Sequence, residues 1–138
     1  MPQRFRVRPI ALYLVAGLLA VAILAAAKDN PGSVTANETN NGQTIALQRG
    51  QVLVVSLNAQ LGTGFGWHVV KYDRDNLKLR GGPQIEAPDR PGVGAPQPEI
   101  FRFEAKGDGS SVVQLDYKRA WEKNTPPAKT FRLTVVVK

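Results

Sequence analysis

Residues 100–118, IFRFEAKGDGSSVVQLDYK, contain two alternations of apolar and polar side chains separated by Gly107-Asp108-Gly109. The first, over 100–105, sets Phe101, Phe103 and Ala105 on one face, with Arg102 and Glu104 on the other. The second, over 111–118, sets Val113, Leu115 and Tyr117 against Gln114, Asp116 and Lys118. Successive side chains of a strand point to opposite faces, so a period of two marks a strand buried on one side. Working outward, residues 51–57 place Leu53, Val55 and Leu57 on one face, and residues 130–137 set Phe131, Leu133, Val135 and Val137 against Arg132, Thr134 and Val136. Shorter candidates lie at 44–47, 66–72, 77–79 and 84–86. No convincing helical period follows residue 27. About seven short half-buried strands, separated by Gly and Pro turns, predict an all-β antiparallel sandwich. The Cys-Trp-Cys spacing of antibody domains is absent, so this expectation rests on the alternation alone.

Composition narrows the function. The chain has 138 residues, 43% hydrophobic and 21% charged, which suits one domain with a real core. With no cysteine there are no disulfides, thiolate metal sites, cysteine nucleophiles or Cys-linked lipid anchors. His68 is the single histidine, so a triad could form only around it and no multi-histidine metal site is possible. Neither enzymatic activity nor a metal or cofactor is expected. The net charge of +7 would suit nucleic acid or an anionic membrane. Arg4, Arg6 and Arg8 supply three of those charges, however, and the other Lys and Arg residues are scattered singly. A soluble mixed-charge surface accounts for them, and no nucleic-acid partner is expected, because aromatic and basic residues are not interleaved on any strand.

The N-terminus reads as an export element. Basic residues 2–9, PQRFRVRP, precede eighteen uncharged residues, 10–27, IALYLVAGLLAVAILAAA. At 1.5 Å per residue that segment reaches about 27 Å, just enough for a bilayer core. Ala25, Ala26 and Ala27 offer the small residues a signal peptidase needs. Residues 1–27 are thus a signal peptide or an uncleaved anchor, with the domain exported to a periplasmic or secreted location. Residues 28–42, KDNPGSVTANETNNG, read as a flexible tether, and residues 43–138 as the folded domain. Within the tether, Asn37-Glu38-Thr39 fits the N-glycosylation pattern, a match that chance explains as well as use.

Three connections are not ordinary turns. Residues 58–67 carry Gly62, Gly64 and Gly66 around the lone Thr63, followed by Phe65 and Trp67. Residues 87–99 hold four prolines and two glycines, which predicts a long, stiff loop. Residues 119–127 place Arg119 and Trp121 where a plain hairpin would use small polar residues. Loops held by a rigid sandwich are where function usually sits.

In these stretches, residues 43–137 resemble the chagasin family of cysteine peptidase inhibitors. The family pattern is a Gly-Asp/Gln turn, an Asn-Pro-Thr-Thr-Gly-Tyr/Phe-x-Trp loop, a Gly-rich loop before Phe-x-Phe, and Arg-Pro-Trp before the last strand. The matching residues are Gly50-Gln51; Gln60-Leu61-Gly62-Thr63-Gly64-Phe65-Gly66-Trp67; Val93-Gly94-Ala95-Pro96 leading into Phe101-Arg102-Phe103; and Arg119-Ala120-Trp121-Glu122. Gln60 stands for Asn, Leu61 for Pro, Gly62 for the first Thr and Ala120 for Pro.

The resemblance implies an immunoglobulin-like sandwich whose three loops enter the active-site cleft of a papain-like cysteine peptidase as a wedge, with a monomer as the expected state. The peptidase-binding residues would be Gln60, Leu61, Gly62, Thr63, Gly64, Phe65, Gly94, Ala95, Pro96, Arg119, Ala120 and Trp121. Gly62 and Gly64 would keep the backbone thin around Thr63, and a β-branched residue at 62 would obstruct the tip and resist any positive φ there. Trp121 would give contact area and Arg119 a planar donor fork. Thr63 could instead serve the turn through its hydroxyl. Trp67 falls in strand period and is assigned to the core, with Phe65 as a buttress at the loop's hinge. His68, beside Trp67, reads as a surface or half-buried strand residue. Two other classes stay open at this point: a carbohydrate-binding sandwich stacking sugars on Trp121 and Phe65, and a structural envelope domain with no peptidase target.

Overall fold

The structure is a computed structural model that describes residues 32–87, 92 and 94–138. The expected leader at 1–27 and the first four tether residues lie outside the described residues, as do 88–91 and Val93. Gly32–Lys138 forms one compact unit.

Nine strands are described: β1 (Ser33–Ala36), β2 (Thr44–Leu47), β3 (Val52–Ala59), β4 (Phe65–Lys71), β5 (Leu77–Leu79), β6 (Gln84–Ile85), β7 (Gln97–Ala105), β8 (Gly109–Arg119) and β9 (Lys129–Val137). One sheet runs β1-β3-β7-β5, with β6 also on β7, and the other runs β2-β9-β8-β4. In the first, Leu53 faces Phe103 and Val55 faces Phe101; in the second, Val113 faces Leu133 and Leu115 faces Phe131. Every residue assigned to the inward face of the four long runs is buried. The alternation therefore builds the sandwich directly, each large apolar side chain contributing about 1.5–3 kcal/mol on burial.

Three expectations need correction. The sandwich is not wholly antiparallel: β1 lies parallel to β3, and β2 parallel to β9. A parallel neighbour needs a crossover. Here the chain supplies it by placing β1 in one sheet, β2 in the other, and β3 back in the first. Nor are residues 33–42 a tether. Val34 and Ala36 pair with Leu53 and Val55, Ala36 is fully buried, and Glu38–Asn40 forms a 3-10 turn. The Asn and Thr residues that suggest a linker instead cap that turn. The Asn37 side chain accepts the Thr39 N–H, and the Asn40 side chain accepts the Asn37 N–H, both at 2.9 Å. Finally, the second loop ends at Pro96, because β7 starts at Gln97 and takes Glu99 into the sheet.

Gly107-Asp108-Gly109 carries the chain from β7 in one sheet to β8 in the other. The buried Asn76 donates through Nδ2 to the Gly107 and Asp108 carbonyls at 3.1 and 2.7 Å. A Cβ on Gly109 would sit 2.5 Å from that nitrogen, and φ is +139° there, so this position requires glycine.

Candidate functional site

Strand register decides where the loops go. Ala59 pairs with Gln97, so the central loop leaves β3 beside the point where Gly94-Ala95-Pro96 enters β7. Phe65 pairs with Arg119, so the same loop enters β4 beside the point where the third loop leaves β8. The described parts of all three loops therefore share one end of the sandwich.

The central loop is a 3-10 turn, Leu61–Thr63, closed by Gly64 at φ +83°. Thr63 N–H and Gly64 N–H donate to the carbonyls of Gln60 and Leu61, each at 3.0 Å. The Thr63 hydroxyl donates to the Gln60 carbonyl at 2.6 Å, so it serves the turn as well as standing at the tip. The left-handed residue is Gly64, not Gly62, and a Cβ at 62 would meet open space. A Cβ at 64 would lie 2.2 Å from Cη2 of Trp121, because the indole lies over Gly64. That close approach joins the first and third loops.

Arg119 completes the join. Its Nε donates to the Thr63 carbonyl at 3.1 Å, another guanidinium nitrogen donates to Glu122 Oε1 at 3.1 Å, and its Cζ lies 4.3 Å over the Phe65 ring. The fork expected to face a partner is thus engaged within the protein. Phe65 stacks on Tyr117 at 5.3 Å and 18°, which makes it the buttress expected. Trp121 is left 67% exposed. Ala120 lines the cleft described below, while Ala95 N–H reaches the Gly92 carbonyl at 3.4 Å.

Trp67 lies in the core, 5% exposed, against Tyr117 and Phe131. Its indole N–H donates to the Asn58 carbonyl at 3.0 Å, and the Tyr117 hydroxyl accepts the Gln60 N–H at 2.9 Å. Glu38 Oε1 accepts the Asn58 N–H at 2.5 Å, so the supposed tether braces the root of the loop. His68 is half-buried on β4, opposite Asp116.

One residue of the site went unread in the sequence. Glu99, only 4% exposed, accepts the Trp67 backbone N–H on Oε1 at 2.8 Å. Burial pushes its carboxyl above the usual 4.5, opposed by the Trp67 hydrogen bond and by the His68 imidazole. It lines a cleft of about 450 Å³ together with Leu61, Phe65, His68 and Ala120. The signal was present: position 99 is in phase with Phe101 and Phe103 on the buried face.

Such an end offers a thin backbone tip, one exposed indole and a preset loop geometry. These are means of binding. The family model described as Chagasin family peptidase inhibitor I42 matches residues 46–135. Amoebiasin-2 of Entamoeba histolytica is 24% identical over 103 residues, covering 73% of this chain and 82% of its own length. The crystal structure of the cysteine protease inhibitor EhICP2 from Entamoeba histolytica superposes with a TM-score of 0.71 at 23% identity, over 78% of this chain and 96% of that one. PbICP-C, solved in complex with falcipain-2, has a TM-score of 0.58 at 16% identity, over 78% and 99% of the two chains. These structural likenesses establish the sandwich fold.

Proposed function

We propose, because this chain belongs to the chagasin family of peptidase inhibitors, that its three clustered loops block the active-site cleft of a papain-like cysteine peptidase. Membership makes the protein a protease inhibitor rather than an enzyme. The observation that supports the finer reading is the register, Ala59 on Gln97 and Phe65 on Arg119, which gathers the loops at one end. In this reading the Leu61–Thr63 turn enters the centre of the cleft, where only a thin backbone fits, and Trp121 lies along its side. Arg119 and the Trp121–Gly64 contact fix the loops in advance, so little ordering entropy is lost on binding. No bond is made or broken.

Titration of the purified 28–138 domain against a panel of papain-like enzymes tests this. Inhibition at micromolar domain or below is expected, with serine and metallopeptidases untouched; an unaffected papain-like panel would sink the reading. The sugar-stacking alternative loses ground because the Phe65 ring is stacked on Tyr117 and covered by the Arg119 guanidinium, which leaves Trp121 without the second aromatic of a platform.

The reading includes export, with residues 10–27 as signal peptide or anchor. A compartment-sensitive reporter fused after Lys138 should register the outside, and N-terminal sequencing of the mature product separates cleavage from anchoring.

A further inference from the structure

The inward series of β7 runs Glu99, Phe101, Phe103, Ala105, which puts a carboxylate in line with two buried phenylalanines. A carboxylate there carries a desolvation cost that an apolar side chain would avoid. Its position shows what it does instead. β4 is an edge strand with β8 on one side, and the Trp67 amide turns the other way, toward the facing sheet. Without an acceptor that donor would be buried and unpaired, which costs more than the hydrogen bond itself contributes. Glu99 Oε1 supplies the acceptor at 2.8 Å. Gly66 leaves room for it, since a Cβ there would stand 3.3 Å from the same oxygen.

The bond joins two loop roots. Glu99 lies three residues after Pro96 of the second loop, and Trp67 three residues after Gly64 of the central loop. The β3 side of the central root is already laddered to β7 at Ala59–Gln97, so the Glu99 bond is the one that brings in the β4 side. The other side-chain ties run from Trp67 Nε1 to Asn58 on β3, from Gln60 to Tyr117 on β8, and from Asn58 to Glu38 in the N-terminal turn. We propose that Glu99 is a positioning residue for inhibition, which holds the central loop in register with the second loop by accepting the Trp67 amide, and which acts as an acceptor rather than as a charge. The proposal rests on the wedge reading for its link to inhibition, whereas the loop geometry can be read in the free domain.

The test compares Glu99→Gln and Glu99→Leu in the 28–138 domain. It measures amide hydrogen exchange at Trp67 and residues 60–66, the inhibition constant for papain, and its pH profile. Glu99→Leu should lose tenfold or more in Trp67 protection and in affinity while still melting above the assay temperature. Glu99→Gln, which keeps an acceptor, should restore both within threefold, with a pH profile parallel to that of the unmodified domain. Should Glu99→Leu fail to fold, Gly66→Ala decides, because it crowds the same oxygen. A threefold or greater weakening together with lost Trp67 protection supports the proposal, and unchanged values overturn it. Unaltered inhibition by a folded Glu99→Leu, or a Glu99→Gln as impaired as Glu99→Leu, also overturns it. If the unmodified domain inhibits no papain-like enzyme, the wedge reading fails, and the exchange data alone decide the role of Glu99 in positioning the loop.

Discussion

The two tryptophans lie in opposite surroundings. Trp67 is enclosed by Tyr117 at 5.0 Å and Phe131 at 6.5 Å, whereas Trp121 shows 67% of its surface. Trp121→Ala should therefore keep the fold and weaken inhibition by about thirtyfold, or about 2 kcal/mol, as for a truncated hot spot. Trp67→Ala should cost about 3–5 kcal/mol of stability and lower the melting temperature before it changes affinity. Inhibition constants and melting curves side by side check both. An unchanged constant for Trp121→Ala with a large loss of stability would mean the roles are exchanged. The glycines should differ in the same assay. Gly64→Ala meets a left-handed φ and the Trp121 ring, and should lose about 1 kcal/mol or more of stability along with affinity. Gly62→Ala meets nothing and should leave the melting temperature alone, so any loss of affinity there reports the cleft wall. Strand phase was enough to tell Trp67 from Trp121, because one continues a period of two and the other stands outside it. The partner of Arg119 was not legible, since Thr63 lies 56 residues away and no local pattern encodes that contact. Glu99 was missed for a different reason: Pro96 and Pro98 read as loop and hid a strand that had already begun at Gln97.

Among the elements, the N-terminal segment departs furthest from its sequence reading. Ser33–Ala36 covers the outer edge of β3, and Glu38 holds the Asn58 amide at the root of the central loop. A domain cut to residues 43–138 should lose both. Exposed β3 then presents an unpaired edge, and the lost ladder and Glu38 bonds should lower stability by at least about 2 kcal/mol relative to 28–138. Denaturant melts of the two lengths measure this, and equal midpoints would return residues 33–42 to the status of a linker. Glu38→Ala in the longer domain separates the loop brace from the strand. The four long strands were legible because each carries at least three apolar residues in alternation, enough to fix which face is buried. β1 has only Val34 and Ala36 on the inward phase, too few to stand out among Asn, Thr and Gly. The parallel pairings were beyond reach for a related reason, since alternation fixes the buried face but not the direction of the neighbouring strand.

At the scale of the whole molecule, the described ion pairs, Arg49–Asp108, Arg80–Glu104 and Arg119–Glu122, are all partly exposed. Such pairs contribute little to stability, with a median of about 0–1 kcal/mol. The acid limb of stability should instead bear the mark of Glu99, whose carboxyl is raised above 4.5 by burial, against the Trp67 hydrogen bond and His68. The sign follows from proton counting. Between the ordinary carboxylate value and the raised one, the folded state holds a proton that the unfolded chain has released. Stability therefore falls as pH rises through that window, and below it the penalty is absent. Glu99→Gln carries no charge to desolvate and keeps an acceptor for Trp67. It should be more stable than the unmodified domain at pH 7, with the difference shrinking as pH falls through the window and vanishing near pH 4, close to the ordinary glutamate value. Denaturant unfolding of both proteins at pH 7, 5.5 and 4 provides the comparison, pH 4 marking the acid side of that window. A gap of the same size at every pH would show that the substitution acts through packing and that ionised Glu99 carries no burial penalty. A gap that opens toward acid would reverse the sign of its shift. If the gap closes as expected, acidification leaves the root of the central loop intact through this residue, because the proton that binds Glu99 relieves a cost of the folded state and still leaves a carbonyl oxygen for the Trp67 amide.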